Sequence, residues 1–310
     1  MNIPSTPFVP GIVLSDAFRS AEAAQPDWQT CRPLTCSVLP VRMACNLHCP
    51  FCFSKSSVSS LRHDTVDWSR LDVESYYELA RSRGATRLVI TGGGEPLLRL
   101  GDTVQLVARG RRYFPEIACF TNGTYLTREL AERLADAGLS YICYSRHHDD
   151  DARCRMLMGA GAPTLTDFVA AAAPLKVRAT CVMTSGWIES PADVFRYIDR
   201  LSEFGVREFT FKHTYVAHEH SLFRQSREDR WAREHRIDAD PFADCGDVVG
   251  ALPWGPRIRR VGQGQVCYYF EPDPDWELEN QLCRSWNLLS DGSVYASLED
   301  RRSLLFRLKP

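Results

Sequence analysis

Three cysteines in Cys45-Asn46-Leu47-His48-Cys49-Pro50-Phe51-Cys52 form the sharpest chemical signal in the chain. Thiolates are the soft ligands that iron–sulfur clusters require. Three of them on one short loop can hold three corners of a four-iron cube and leave the fourth iron open to bind a substrate. A zinc site would want a fourth ligand; His48 is a candidate, though its place inside the loop makes simultaneous ligation cramped. A second signal is Thr91-Gly92-Gly93-Gly94-Glu95-Pro96. Glycines let a backbone approach a ligand closely and present its carbonyls and amides, and a carboxylate at Glu95 suits a cationic amine.

These segments need elements to position them. From Thr35 to about His213 the sequence repeats an apolar strand, a turn rich in Gly, Asn or Ser, and an amphipathic helix, which is βα repetition. Strands are expected at 35–42, 87–91, 117–121, 140–144, 177–183 and 208–212, with helices near 72–83, 103–113, 128–137, 165–173 and 192–204. Ser190-Pro191-Ala192-Asp193 supplies an N-cap hydroxyl, a first-turn proline and an acidic N3 residue, while Gly84 and Gly138 sit where C-caps belong. Parallel strands joined by right-handed crossovers curl toward a barrel whose ligands gather at the strands' carboxyl ends. Both cysteine and glycine motifs follow strand ends. The fold class expected is α/β, a partial (βα)6 barrel with a small C-terminal extension.

The flanks read differently. Residues 1–33 are rich in Pro and Ala and read as a lead-in without a core; 34–213 is the barrel; 214–310 is a linker crowded with charge, then an extension carrying Cys245, Cys267 and Cys283. The 310 residues have 44% hydrophobic side chains and a formal net charge of -2, which suits a globular core and gives no basic face for nucleic acid. No apolar run is long enough to span a bilayer and no basic-then-apolar leader begins the chain, so the expected compartment is the cytoplasm, with no membrane partner. There, twelve cysteines exceed what packing requires and should include metal or redox groups. Cys119, Cys143 and Cys181, inside apolar strands, are expected to be buried, and Cys31, Cys36 and Cys154 carry no spacing signal. The His147-His148-Asp149 and His218-Glu219-His220 runs read as solvated loops.

The cysteine spacing, with an aromatic before the third cysteine at Phe51, resembles the radical S-adenosylmethionine superfamily, and the Gly-Gly-Glu-Pro segment agrees. The resemblance implies a [4Fe-4S] cluster on Cys45, Cys49 and Cys52, with S-adenosylmethionine chelated at the open iron and cleaved to a 5′-deoxyadenosyl radical. It implies that Gly93, Gly94 and Glu95 receive the methionyl amine. It also implies cofactor contacts from Asn122 in Thr121-Asn122-Gly123, from Ser145 and Arg146, and from Thr184. A reducing partner of the flavodoxin or ferredoxin type would supply the electron.

Cys283, Trp286 and Ser290-Asp291-Gly292 are similar to the start of the auxiliary-cluster extensions called SPASM and Twitch, although Ser297 stands where those extensions place a further cysteine. Cys245, Cys267 and Cys283 are therefore candidates for a second [4Fe-4S] cluster. Alternatively, Cys245 or Cys267 is a catalytic hydrogen-atom donor, because an S–H bond is weaker than a sugar C–H bond. Such a donor would make the chain an epimerase of a small polar natural product, similar to radical aminoglycoside epimerases of the neomycin C epimerase type. The alternatives are a carbinol dehydrogenase using an auxiliary cluster, a peptide maturase, and a non-catalytic iron–sulfur electron carrier.

Overall fold

The computed structural model describes residues 12–14, 28–61, 64–219 and 221–309. Six parallel strands run consecutively across the centre: β2 (Arg32–Val38), β3 (Leu88–Ile90), β4 (Ile117–Thr121), β5 (Tyr141–Ser145), β6 (Val177–Val182) and β7 (Glu208–Lys212). Each lies beside its successor, the pattern that right-handed βα crossovers impose. The crossover helices are α1 (Val73–Ser82), α2 (Leu100–Gly110), α3 (Arg128–Ala137), the pair α4 (Asp151–Met158) and α5 (Leu165–Ala172), and α6 (Pro191–Ser202).

Local chemistry sets the helix ends. Asp72 accepts from Ser75 N–H at 3.1 Å to start α1, Thr127 does so for α3, and Ser190 with Asp193 closes a reciprocal capping box on α6. Gly138 ends α3 at φ 104°, a left-handed position that costs glycine nothing. Outward strand residues such as Val38, Ile90, Cys119, Ile142, Cys181 and Phe211 share one apolar core with the helix faces. Inward residues Ala118, Phe120, Tyr141 and Cys143 form a separate cluster under the lumen. Cys119 and Cys181 in the outer core and Cys143 in the inner cluster are buried as small hydrophobes.

Residues beyond His213 join the same sheet at both edges. After α7 (Arg227–Glu234), the strands β8 (Asp247–Ala251), β9 (Arg257–Val261) and β10 (Gly264–Tyr269) extend it beyond β7; then, past α8 (Pro274–Glu279), β11 (Leu282–Leu288), β12 (Ser293–Tyr295) and β13 (Leu304–Leu308) extend it beyond β2. β10 is parallel to β7 and β11 parallel to β2. Glu271, just past β10, ion-pairs with Lys212 of β7 at 2.8 Å and with Arg284 of β11, so one carboxylate bridges the two flanks. We call this contact the seam.

Three expectations change. The lead-in contributes to the core: Trp28 and Cys31 are buried, Arg32 and Pro33 open β2, and β1 (Ile12–Leu14) pairs with β13; residues 1–11 and 15–27 lie outside the described residues. The charged linker is no free spacer, because α7 packs on the cysteine loop. Finally, α4 was not expected, since eight residues with only Cys154, Leu157 and Met158 buried give little apolar period to read.

Candidate active site

The cysteine loop follows β2 and is held from three sides. From beneath, the third-strand turn crosses it so closely that a Cβ on Gly93 would meet the Arg42 carbonyl at 2.0 Å, and one on Gly94 would meet the Ala44 carbonyl at 1.9 Å. The glycines are thus required by backbone against backbone. Glu95 N–H donates to the Ala44 carbonyl at 2.9 Å. The Glu95 carboxylate, 3% exposed, accepts from Leu97 N–H (3.0 Å), the Thr121 hydroxyl (2.6 Å) and Asn122 N–H (2.8 Å). Burial pushes its carboxyl above the usual range while these three bonds oppose the shift.

Asn122 carries the brace onward, donating from Nδ2 to Asn46 Oδ1 at 3.0 Å and to Cys45 Sγ at 3.7 Å. Leu47 N–H also points at Cys45 Sγ, at 3.4 Å. Glu95, Asn122 and Cys45 therefore form one connected hydrogen-bonded path through three strand ends. Burial raises all three thiols, Cys49 further by the neighbouring Cys52 and Cys45 sulfurs, and Lys55 draws Cys52 down. Clustered thiols with N–H donors aimed at sulfur suit a thiolate-ligated cluster, because metal binding removes the thiol protons and such donors tune the sulfur. On this donor set the residues fit a [4Fe-4S] group.

The other two sides were not legible in the sequence. Phe51 is buried, with its ring edge-on to His147 at 4.8 Å and tilted against Trp231 of α7 at 5.7 Å. His147, expected in a solvated loop, is 5% exposed. Its Nδ1 accepts from Val182 N–H at 3.0 Å, and burial brings its pKa down to about 3, so it is neutral. His148 is buried as well. From α7, Ser226 bonds Ser56 at 2.8 Å and Glu228 approaches Lys55 at 3.5 Å. On the third side Met158 accepts from His48 N–H at 2.7 Å, and Cys154 packs beside Leu47.

The remaining expected contacts divide. Ser145 faces inward in a register row that runs Ser145, Thr180, Thr210, Cys267 across β5, β6, β7 and β10. Asn122 follows Thr121, the partner of Tyr144, and so opens onto the same level. Arg146 does not: it is fully buried, bound to Asp151 at 2.6 Å and to the Asp149 carbonyl at 3.0 Å. Those bonds turn it from the lumen to α4. Thr184 is likewise fully buried, its N–H tied to the Ile188 carbonyl at 3.0 Å.

The C-terminal cysteines are not gathered. Cys283 is buried in the outer core beside Cys31 and Glu277, Cys245 lies in the turn before β8 with its carbonyl on Arg259, and Cys267 has Arg178 and Asp240 as charged neighbours. The three share no neighbour that would make a ligand set, so the auxiliary-cluster expectation gains no support from their placement. Of His218-Glu219-His220, His220 lies outside the described residues; Glu219 is exposed beside Arg224.

Residues 40–220 match the family model of the Radical SAM superfamily. The chain belongs to that superfamily. Membership implies a [4Fe-4S] cluster and S-adenosylmethionine, and a radical mechanism that cleaves it. Among curated relatives, a GTP 3′,8-cyclase of Listeria monocytogenes serotype 4b (strain CLIP80459) is 41% identical over 101 residues, covering 32% of this chain and 29% of that protein. An Fe-coproporphyrin III synthase of Methanosarcina barkeri (strain Fusaro / DSM 804) is 29% identical over 108 residues, 32% of this chain and 23% of that one. The matches thus span under a third of either relative. Streptococcus suis SuiB bound to S-adenosylmethionine superposes with a TM-score of 0.54 at 17% identity, over 86% of this chain and 60% of that one. Native anSMEcpe with bound AdoMet does so with a TM-score of 0.50 at 17% identity, over 86% and 75%. These likenesses show the fold. No helix among the described residues is long and apolar enough to cross a membrane.

Proposed function

We propose that this radical SAM enzyme epimerises a carbon of a small polar, sugar-like molecule, with Cys45, Cys49 and Cys52 as cluster ligands and Cys267 as the hydrogen-atom donor. The bound cluster and S-adenosylmethionine supply a 5′-deoxyadenosyl radical. A substrate carbon seated in the lumen would lose one hydrogen atom to that radical, with 5′-deoxyadenosine as the co-product. Cys267 S–H returns a hydrogen atom to the opposite face, and the resulting thiyl regains one electron and one proton from a flavodoxin- or ferredoxin-type reductant and water. Residues 34–213 generate the radical and 214–310 supply the donor strand and the substrate cavity, in the cytoplasm.

One observation carries this reading. Cys267 stands in the inward row with Ser145, Thr180 and Thr210, while its strand neighbours Val266 and Tyr268 pack outward. Burial pushes its thiol up to about 11, which keeps the S–H bond intact at neutral pH. Cys245, in the turn before the edge strand β8, has no such path to the lumen.

The test is turnover of an aminoglycoside panel in deuterium oxide by reconstituted, reduced enzyme. One non-exchangeable deuterium on carbon per product is expected, and lost in Cys267→Ala; a carbonyl product without deuterium would mean dehydrogenation instead. The sequence likeness to GTP 3′,8-cyclases supports a second reading, a nucleoside triphosphate rearrangement. It needs free cations for the phosphates, whereas Arg224, Arg233 and Arg236 beside the seam are engaged by carboxylates. Incubation with GTP, read by consumption of the nucleotide, decides between them.

A further inference from the structure

A cavity of about 740 Å³ opens at the seam, walled by the segment after β7, the turn after β10, and Glu299. It adjoins the cysteine loop through Tyr215, whose ring packs edge-on against Phe53 at 4.7 Å. It adjoins the lumen through Lys212 and Tyr269, a register pair one inward position beyond Thr210 and Cys267.

Its charges are unevenly spent. Arg233 is bound to Asp229 at 3.0 Å, Arg236 to Asp238, and Arg224 to Glu219 at 3.8 Å. Lys212 and Arg284 are both taken by Glu271, which also accepts from the Tyr269 hydroxyl at 2.7 Å. Glu299 is different. It is 6% exposed, lines the cavity beside Tyr215, whose buried hydroxyl has no hydrogen-bond partner among the described residues, and forms no ion pair among them. Asp273, also lining the cavity, caps α8 through Asp275 N–H and forms no ion pair among the described residues. The walls thus hold two carboxylates without a cation of their own, and every arginine of the lining already has its carboxylate. Tyr268 and Phe270 add aromatic faces against which a protonated amine or a sugar ring can rest.

We propose that this cavity is a recognition site for a protonated amine on a polar substrate, with Glu299, beside the unpartnered Tyr215 hydroxyl, as the receiving carboxylate. The inference rests on the reading of the lumen as the place of radical transfer and deepens it: the substrate is an amine-bearing one. An anionic ligand finds no uncommitted cation here, and a neutral one leaves Glu299 buried and unsatisfied. Groups facing Glu299 from its neighbours are Lys212 on β7, Arg284 on β11, Tyr215 and Asp273; burial, partly offset by Arg284, brings its carboxyl up to about 7. Amine binding therefore strengthens as pH rises through about 7, while the ligand's amines keep their protons.

The experiment compares 2-deoxystreptamine with its di-N-acetyl derivative, which has the same ring and no cation, by calorimetry on the anaerobic, S-adenosylmethionine-loaded holoenzyme. The diamine is expected to bind at least about tenfold more tightly, with the preference reduced to about twofold or less in Glu299→Gln and largely kept in Glu299→Asp. Equal affinities, no binding of either probe, or an unchanged preference in Glu299→Gln overturns the site. Should Glu299→Gln fail to fold, the wild-type comparison of the two probes and Tyr215→Phe still decide. Cleavage of S-adenosylmethionine by the same wild-type preparation reads out separately: cleavage without amine preference sinks this inference alone, and preference without cleavage sinks the radical reading alone.

Discussion

The cysteine-loop end of the barrel and the seam both bury polar groups, yet they are built by different means. At the loop, Glu95 takes three donors that lie in strand-end turns, and two of them, Leu97 and Asn122, are backbone N–H groups. The site is stiff because main chain holds main chain. At the seam, Glu271 takes Lys212, Arg284 and Tyr269, all side chains, partly exposed and brought together from three strands. The first arrangement fixes a cofactor in one geometry; the second leaves side chains that can re-pair around a ligand. A barrel of this kind can keep its radical chemistry constant at the loop and vary its substrate at the seam.

The largest effect should come from the loop. Changing Cys45, Cys49 and Cys52 to Ala together is expected to remove bound iron and sulfide and all 5′-deoxyadenosine formation; retention of about four irons would place a cluster elsewhere and break the comparison. Next, Glu95→Ala leaves buried donors unpaired and should cost about 3 kcal/mol, read by anaerobic thermal unfolding, together with faster iron loss to a chelator. Stability loss with normal iron retention would mean the brace does not reach Cys45. Glu271→Ala should cost less, about 2 kcal/mol, because Lys212 and Arg284 remain partly solvated, with iron retention unchanged. Equal iron loss in both variants would erase the distinction between the two regions.

The smallest effect is a pH dependence. Glu299 has a folded pKa raised to about 7 from 4.5, by burial first, so the folded state holds the proton more tightly than the unfolded one. Its contribution is fully present below about pH 4.5 and is lost as pH rises through about 7. Glu299→Gln should flatten this part of the stability curve in denaturant titrations. An unchanged slope would show that the carboxyl is solvated and the seam wet.

Much of the loop end is legible in the amino-acid order alone. Strands at 117–121 and 208–212 and the helix at 128–137 emerge with the bounds expected of them, because alternation and caps are local properties. The glycine turn is readable as a close approach, though the close neighbour is the backbone of residues 41–44. Arg146 misleads because a strand-end arginine looks free for an anion until Asp151 is found beside it. His147 misleads because charged neighbours suggest solvent, whereas its own burial depends on Phe51 and β6.

By itself the sequence determined the three-thiol loop, the glycine and Thr-Asn-Gly turns and the βα order, since each depends on residues within a turn or two of one another. Only the tertiary structure decided which cysteine faces the lumen, and that Lys212, Glu271, Arg284 and Glu299 meet at one seam. Lys212 and Glu271 are 59 positions apart, and their pairing is set by the register of β10 on β7 and the return of the chain to β11. A pattern of charges along a chain does not encode that register; the packing of whole strands does.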